Sequence, residues 1–207
     1  MGIVTNRRRV MGGKTLPYDA EVEWLGTDGQ QGIDTGIYPT ALNLTIEMTT
    51  QNLLRFGWGY NNNANGTWIG IIATYAFWKN WNNAYKYAIN NYSDGKWNVW
   101  TYSMKKGLYK NGSLIKSFTA TLGTSPIVDF PLMLIGYYDA YTQSNRYISF
   151  GYDAKISDCK IYAADVLVRD FIPVRVGQVG YMYDKVSGQL FGNAGTGAFI
   201  VGPDVNN

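Results

Sequence analysis

Polar and apolar residues alternate along much of this chain with a period of two. In "LNLTIEMTT" (42–50), Leu42, Leu44, Ile46 and Met48 are set against polar neighbours, the pattern of a strand with one face buried. "KWNVWTYSM" (96–104) alternates in the same way. "LYKNGSLI" (108–115) is a tight hairpin, because Asn111-Gly112 supplies the two positive-φ residues of a type I′ turn. "LRFGWG" (54–59) and "TWIGIIATYAFW" (67–78) continue as strands, split by the loop "NNNANG", and "NWNNAYKYAINNYSDG" (80–95) reads as a short strand pair with Asn-Asn and Ser-Asp-Gly turns. "FPLMLIGYY" (130–138) predicts a buried strand, and "AKISDCKIYAADVLVRDFIPV" (154–174) a long strand followed by another. "GYMYDKVSGQLFGNAGTGAFIVG" (180–202) predicts a last hairpin and a closing strand, while "DAEVEWLGTDGQQGIDTG" (19–36) is a short alternating strand and then a turn-rich loop. No segment of helical length carries the 3.6-residue period. Strands recur roughly every ten residues with turns between them, which predicts an all-β fold, an antiparallel sandwich or barrel.

Composition agrees and adds limits. The 207 residues suit one large domain, and 46% hydrophobic against 16% charged residues can fill a core. The 17 Tyr and 7 Trp favour strands, whose pleated surface suits flat side chains. A single cysteine, Cys159, rules out an internal disulfide and fits synthesis in a cytoplasm. It sits in an alternating strand beside Ile161 and reads as a small buried hydrophobe. The absence of histidine removes the commonest general base and zinc ligand, and with them any Ser-His-Asp or Cys-His arrangement.

The net charge of +3 is unevenly placed. Residues 1–18 hold Arg7, Arg8, Arg9 and Lys14 and no acid, whereas the remaining 14 basic residues face 15 acids. The reading is a basic, extended arm over 1–18, serving attachment or contact between copies, and one sandwich domain over 19–207. No apolar run follows the charges of "MGIVTNRRRVMGGK", so no secretory signal is expected. Asn6 stands where a myristoylation signal needs Ser or Thr. The longest apolar stretch, "IGIIATYAF" (69–77), is too short to span a bilayer. The Asn-x-Ser/Thr triplets at Asn43, Asn65, Asn91 and Asn111 are what chance gives in so Asn-rich a chain.

"W-x-x-W-T-Y…G-x-L-Y-x-N-G" (Trp97–Gly112) resembles the hairpin segment of laminin-G-like and concanavalin A-like jelly rolls. "LMLIGYYD" (132–139) is similar to their next core strand and "AKISDCKIYAADVL" (154–167) to a late one; the likeness covers about residues 20–170. The resemblance, and not the periodicity, implies jelly-roll topology, with two antiparallel sheets packed face to face. Both ends, "NRRRVMGGKTLPYDAEVEWL" and "VLVRDFIPVRVGQVGYMYDKVSGQLFGNAGTGAFIVGPD", are similar to those of a jelly-roll group common in tailed bacteriophages of gut bacteria and in surface proteins of their hosts. In the phage members the domain is typically a virion component: a head fibre, a decoration protein or a tail appendage.

Candidate chemistry is sparse. Some sandwiches of this architecture are glucanases, which need paired carboxylates, usually as Glu-x-Asp-x-x-Glu on one strand. That spacing is absent; Asp19, Glu21 and Glu23 of "DAEVEW" share a face if the segment is a strand, but read as solvated edge charges beside the arm. Aromatic residues and asparagines interleave over 58–100, and a sugar site needs both a ring face and fixed amides. Trp68, Trp78, Trp81, Asn80, Asn82 and Asn83 are the candidates, against the plainer reading as core, loop filler or subunit contact. Calcium would need a dense acidic loop, and Asp94, Asp139 and Asp153 read as loop-placed with none in such a loop, so no metal or cofactor is expected. Arg7, Arg8 and Arg9, without interleaved aromatics, are a thin signal for nucleic acid; docking on an acidic neighbour is as good a reading, and a disordered tail is the plainer one. "GNAGTG" (192–197) lacks the Gly-Lys-Ser/Thr ending of a phosphate loop and reads as a tight loop before the closing strand.

The expectation is therefore a non-enzymatic structural or appendage protein of a phage particle, made in the bacterial cytoplasm. Its arm would join other virion proteins or further copies in a homo-oligomer, with weak adhesion to surface glycans and no membrane contact. The rival reading is a lectin-like carbohydrate-binding module of a phage tail or a bacterial surface protein.

Overall fold

A computed structural model describes the backbone of residues 10–11, 14–38, 44–52, 54–58, 67–72, 75–80, 83–88, 95–103, 105–117, 131–142, 145–150 and 154–205. Side chains are described within 15–38, 44–52, 95–103, 105–117, 131–136 and 154–205. Every regular element among these residues is a strand, so the fold is all-β.

The larger sheet is built around Leu44–Gln51, whose burial alternates without a break: Leu44, Ile46, Met48 and Thr50 face inward. Trp97–Ser103 lies antiparallel on one side of it and Lys155–Ala163 on the other. Beyond Trp97–Ser103 come Gly107–Lys110 and Ser113–Ser117. Beyond Lys155–Ala163 come Val166–Val176, Val179–Asp184 and Gln189–Phe191. Val166–Val176 leaves its neighbour after Phe171. Short strands meet the freed edges: Ala20–Glu21 pairs with Val174 and Arg175, and Leu25–Gly26 pairs with Lys155–Ile156 and with Ile200–Val201.

The second sheet runs in the order Asn83–Ala88, Tyr75–Asn80, Thr67–Ile72, Leu54–Trp58, Met133–Leu134, Ile33–Asp34. The hairpin of Gly136–Thr142 and Asn145–Phe150 joins it through one parallel contact, Gly136 with Phe56. The expected single strand at 130–138 is in fact two, because Ile135 takes a left-handed φ of 62°. Only an over-determined site holds a β-branched residue there, and Ile135 is 4% exposed within the core.

Leu44, Ile46, Met48, Trp100, Ile156 and Cys159 of the large sheet pack with Ile33, Leu132 and Leu134 of the other. Each such buried side chain contributes about 1.5–3 kcal/mol relative to exposure, so the two inner faces supply the adhesion of a sandwich. The Asn111–Gly112 turn has φ of 49° and 78°, as its sequence requires.

Candidate functional site

The outer face of the large sheet carries a groove of about 520 Å³ lined by Thr45, Thr101, Ser103, Lys106, Tyr109, Gly112, Tyr162 and Asp165. Strand register explains its shape. Ser103 lies opposite Thr45, Thr45 opposite Tyr162, and Tyr162 opposite Leu167. One step along the strands, Leu114 lies opposite Tyr109, Tyr109 opposite Thr101, and Thr101 opposite Glu47. Residues opposite one another project from the same face. A floor of three short hydroxyl side chains therefore lies between two tyrosines three strand spacings apart, about 14 Å between backbones.

Two turns close one end. Lys106 sits between Trp97–Ser103 and Gly107–Lys110, with its backbone N–H donating to Ser103 O at 3.2 Å and to Ser103 Oγ at 3.3 Å. Asp165 sits between Lys155–Ala163 and Val166–Val176, in a turn where Ala164 and Asp165 both have positive φ, 49° and 65°. Both charged residues are exposed, and they balance. Asn111 fixes the hairpin beside the groove. Its N–H donates to Val99 O and its Oδ1 accepts from Val99 N, both at 2.8 Å, and its Nδ2 donates to Asn98 Oδ1 at 3.0 Å.

The residues singled out from sequence lie elsewhere. Trp68 falls in Thr67–Ile72, Trp78 and Asn80 in Tyr75–Asn80, and Asn83 opens Asn83–Ala88. Asn80 pairs with Asn83, and Trp78 with both Ile69 and Tyr85. Position 68 pairs with Lys79, the neighbour of Trp78, so register sets positions 68 and 78 on opposite faces while 78, 80 and 83 share one. Trp81 and Asn82 lie outside the described residues, as do Arg7, Arg8, Arg9, Asp94 and Asp153. Lys14 lies in a two-residue strand paired with Val10–Met11, and Asp139 lies not in the expected loop but in the strand Gly136–Thr142, paired with Tyr147.

The acids of "DAEVEW" are spent separately. Asp19 Oδ2 accepts from Gly177 N–H at 2.7 Å, Glu21 Oε1 accepts from the Tyr18 hydroxyl at 3.0 Å, and Glu23 is exposed. Tyr18 itself is 2% exposed and packs edge-on against Tyr183, with ring centroids 5.0 Å apart. In "GNAGTG", Asn193 Oδ1 accepts from Gly32 N–H and Gly195 N–H, while its Nδ2 donates to the carbonyls of Thr196 and Gly197. Cys159 is fully buried, and burial, reinforced by Asp158, Glu47 and Asp170, raises its thiol well above the ordinary value. Among the described residues no cluster of three acids or thiols is arranged to hold a metal ion, and no helix is long and apolar enough to cross a membrane.

No family model and no curated protein matches this sequence. Seventeen chains among solved structures do match its fold. One is mouse laminin alpha1 chain, domains LG4-5, at 13% identity and a TM-score of 0.53. The match covers 94% of this chain and 50% of that one, so the chain spans about half the laminin fragment's length. The fold is a laminin-G-like jelly-roll sandwich. At that identity the likeness is one of architecture, and function has to be argued from the chain's own surfaces.

Sequence reading missed the groove. Thr45, Thr101 and Ser103 occupy the outward phase of strands whose alternation is plain, but which strand lies beside which is not written in period-two patterning. Tyr109 and Tyr162 share a face through pairings across three strand spacings, which local alternation does not encode.

Proposed function

We propose that this chain is a non-enzymatic binding module that presents the Tyr109–Tyr162 groove to surface glycans and is anchored through its N-terminal segment, as a structural or appendage protein of a phage particle. The observation that carries this reading is the polarity of the sandwich. The groove opens beside Asp165, at the start of Val166–Val176, whereas residues 19–22 join the fold at Val174, Arg175 and Gly177, the far end of that strand. Ten residues of extended chain separate the two by about 30 Å. An anchor at one end leaves the Asp165 end of the groove free.

Three further points support it. The groove lining contains one carboxylate, Asp165, where glycoside hydrolysis needs two. Tyrosine walls and a hydroxyl floor offer a sugar both apolar ring faces and hydrogen-bonding groups. The basic residues at 7, 8, 9 and 14 stand on a nearly neutral body, and the end sequences resemble phage jelly rolls. Many copies on one particle would turn weak contacts into firm adhesion.

Two measurements test this. In calorimetric titration with neutral oligosaccharides, Tyr109→Ala and Tyr162→Ala should each weaken binding roughly tenfold, the effect of losing about 1.4 kcal/mol; unaltered affinity would remove the groove from the reading. In the phage that carries the chain, changing Arg7, Arg8, Arg9 and Lys14 together to Glu should leave purified particles without it. Full incorporation would leave the rival, a lectin-like module of a tail or bacterial surface protein, which keeps the groove and drops the anchor.

A further inference from the structure

We infer that the groove is one end of a longer track, running parallel to the strands as far as Trp97, and that the track takes an extended, uncharged polysaccharide chain; this rests on the groove reading above. The groove residues Ser103 and Thr101 have Val99 and Trp97 as the next outward positions of their strand, and Trp97 and Val99 are 40% and 39% exposed. Most tryptophan is buried in a folded protein. Here an indole stands open on the same face as Tyr109 and Tyr162. Six residues separate Ser103 from Trp97, about 20 Å of strand. Side chains on Leu44–Gln51 floor the whole length, because Ser103 pairs with Thr45, Thr101 with Glu47, Val99 with Thr49 and Trp97 with Gln51.

Charge selects the ligand. Lys106 and Asp165 balance at the groove, and farther along Glu47 lies opposite Lys160. The face therefore offers no excess of cations to an acidic polymer or a phosphate backbone. An extended peptide is poorly served as well. The three strands under the track are interior to the sheet, with neighbours on both sides, so their backbone groups are engaged in its ladders. Recognition of an extended peptide relies on a free strand edge for its amide groups. A neutral sugar chain needs side-chain hydroxyls and ring faces, and the track presents both beside its balanced charges: Thr45, Thr49 and Thr101 with the rings of Tyr109, Tyr162 and Trp97.

The test uses the full-length chain with glucose, xylose and mannose oligosaccharides from the monosaccharide to the hexasaccharide, measured by isothermal titration. Wild-type affinity should rise roughly tenfold from disaccharide to hexasaccharide. Trp97→Ala should abolish that rise and leave disaccharide binding as it was, and Trp97→Phe should restore part of it. Because Trp97 is largely outside the core, thermal melting should show the variant folded. If affinity is the same at all lengths, or Trp97→Ala matches wild type throughout, the track is wrong while the groove stands, provided Tyr109→Ala still loses the short sugars. If no neutral sugar binds, or an extended peptide binds in its place, the groove reading and the track both fall.

Discussion

Asp184 and Asp165 stand at the turns of adjacent hairpins, and the fold uses them in opposite ways. Asp184 is fully buried. Its Oδ1 accepts from Asp170 N–H at 2.8 Å and Val186 N–H at 3.1 Å, its Oδ2 accepts from Ser187 Oγ at 2.6 Å and Ser187 N–H at 3.2 Å, and Arg169 Nε lies 3.7 Å away. Asp165 is exposed at the lip of the groove. The contrast extends to their surroundings. Around Asp184, polar groups close on one another: Arg169 Nε donates to Thr35 O at 3.1 Å and its Nη1 to Val168 O at 2.8 Å, and Lys185 N–H donates to Asp170 O at 2.8 Å. Around Asp165, the half-buried Thr45 and Thr101 and the rings of Tyr109 and Tyr162 line an open groove, with Ser103 buried at its floor. A flank whose polar groups are consumed internally specifies the fold, and a flank that leaves them facing outward is available for contact.

The sharpest way to break this comparison is to remove both aspartates in turn. Asp184→Ala orphans buried donors and should cost about 3 kcal/mol, read as a fall in melting temperature of about 10 °C for a chain of this size. Asp165→Asn keeps a side chain that tolerates positive φ and should change stability by less than about 0.5 kcal/mol while altering sugar affinity. Equal melting temperatures for the two variants would erase the distinction between the flanks.

Glycines give the next largest contrast. A Cβ at Gly180 would meet Leu25 Cδ2 at 2.5 Å, Val201 Cγ2 at 3.2 Å and Phe199 Cβ at 3.3 Å. Gly180→Ala should therefore cost about 2 kcal/mol through overpacking. At Gly112, beside the groove, a Cβ would meet nothing within 4 Å, and the cost of Gly112→Ala is the backbone strain at φ 78° alone, about 1 kcal/mol. Urea denaturation of both variants would rank them.

Ala164 marks where legibility ended. Asn111-Gly112 announces a type I′ turn by residue type, and the structure has it there. Ala164-Asp165 makes a turn with the same positive-φ pair and no glycine, so composition gave no sign of its type; the strands on either side impose it. Ala164→Gly should relieve that strain and stabilise by less than about 1 kcal/mol, since glycine's extra freedom in the unfolded chain offsets part of the gain. The same limit explains the rest. Strands and buried faces were legible because alternation is local, and Cys159 was read as a buried hydrophobe on that basis. The break at Ile135 and the placing of Tyr109 and Tyr162 on either side of one groove depend on which strands become neighbours, a property of the whole chain.

The smallest expected effect lies at the clasp that closes the ends of the sandwich. Arg175 Nε donates to Asp204 Oδ1 at 2.6 Å and its second nitrogen donates to Asp204 Oδ2 at 2.5 Å, while Val205 N–H donates to Glu21 O at 2.9 Å. The hydrogen bond from Arg175 holds the Asp204 carboxyl below its ordinary range, and the guanidinium is raised in return. A depressed carboxylate stabilises the folded state at pH above its unfolded value, about 3.9, and that contribution is lost as pH falls through the lower folded value. Both side chains are solvent-accessible, 28% and 44% exposed, so screening keeps the pair below about 1 kcal/mol. The melting-temperature difference between wild type and Asp204→Asn should thus be small at neutral pH, shrink in concentrated salt and vanish in acid below the carboxylate range. A difference that persisted in acid would mean that Asp204 acts through the geometry of its side-chain hydrogen bonds with Arg175 and not through its charge.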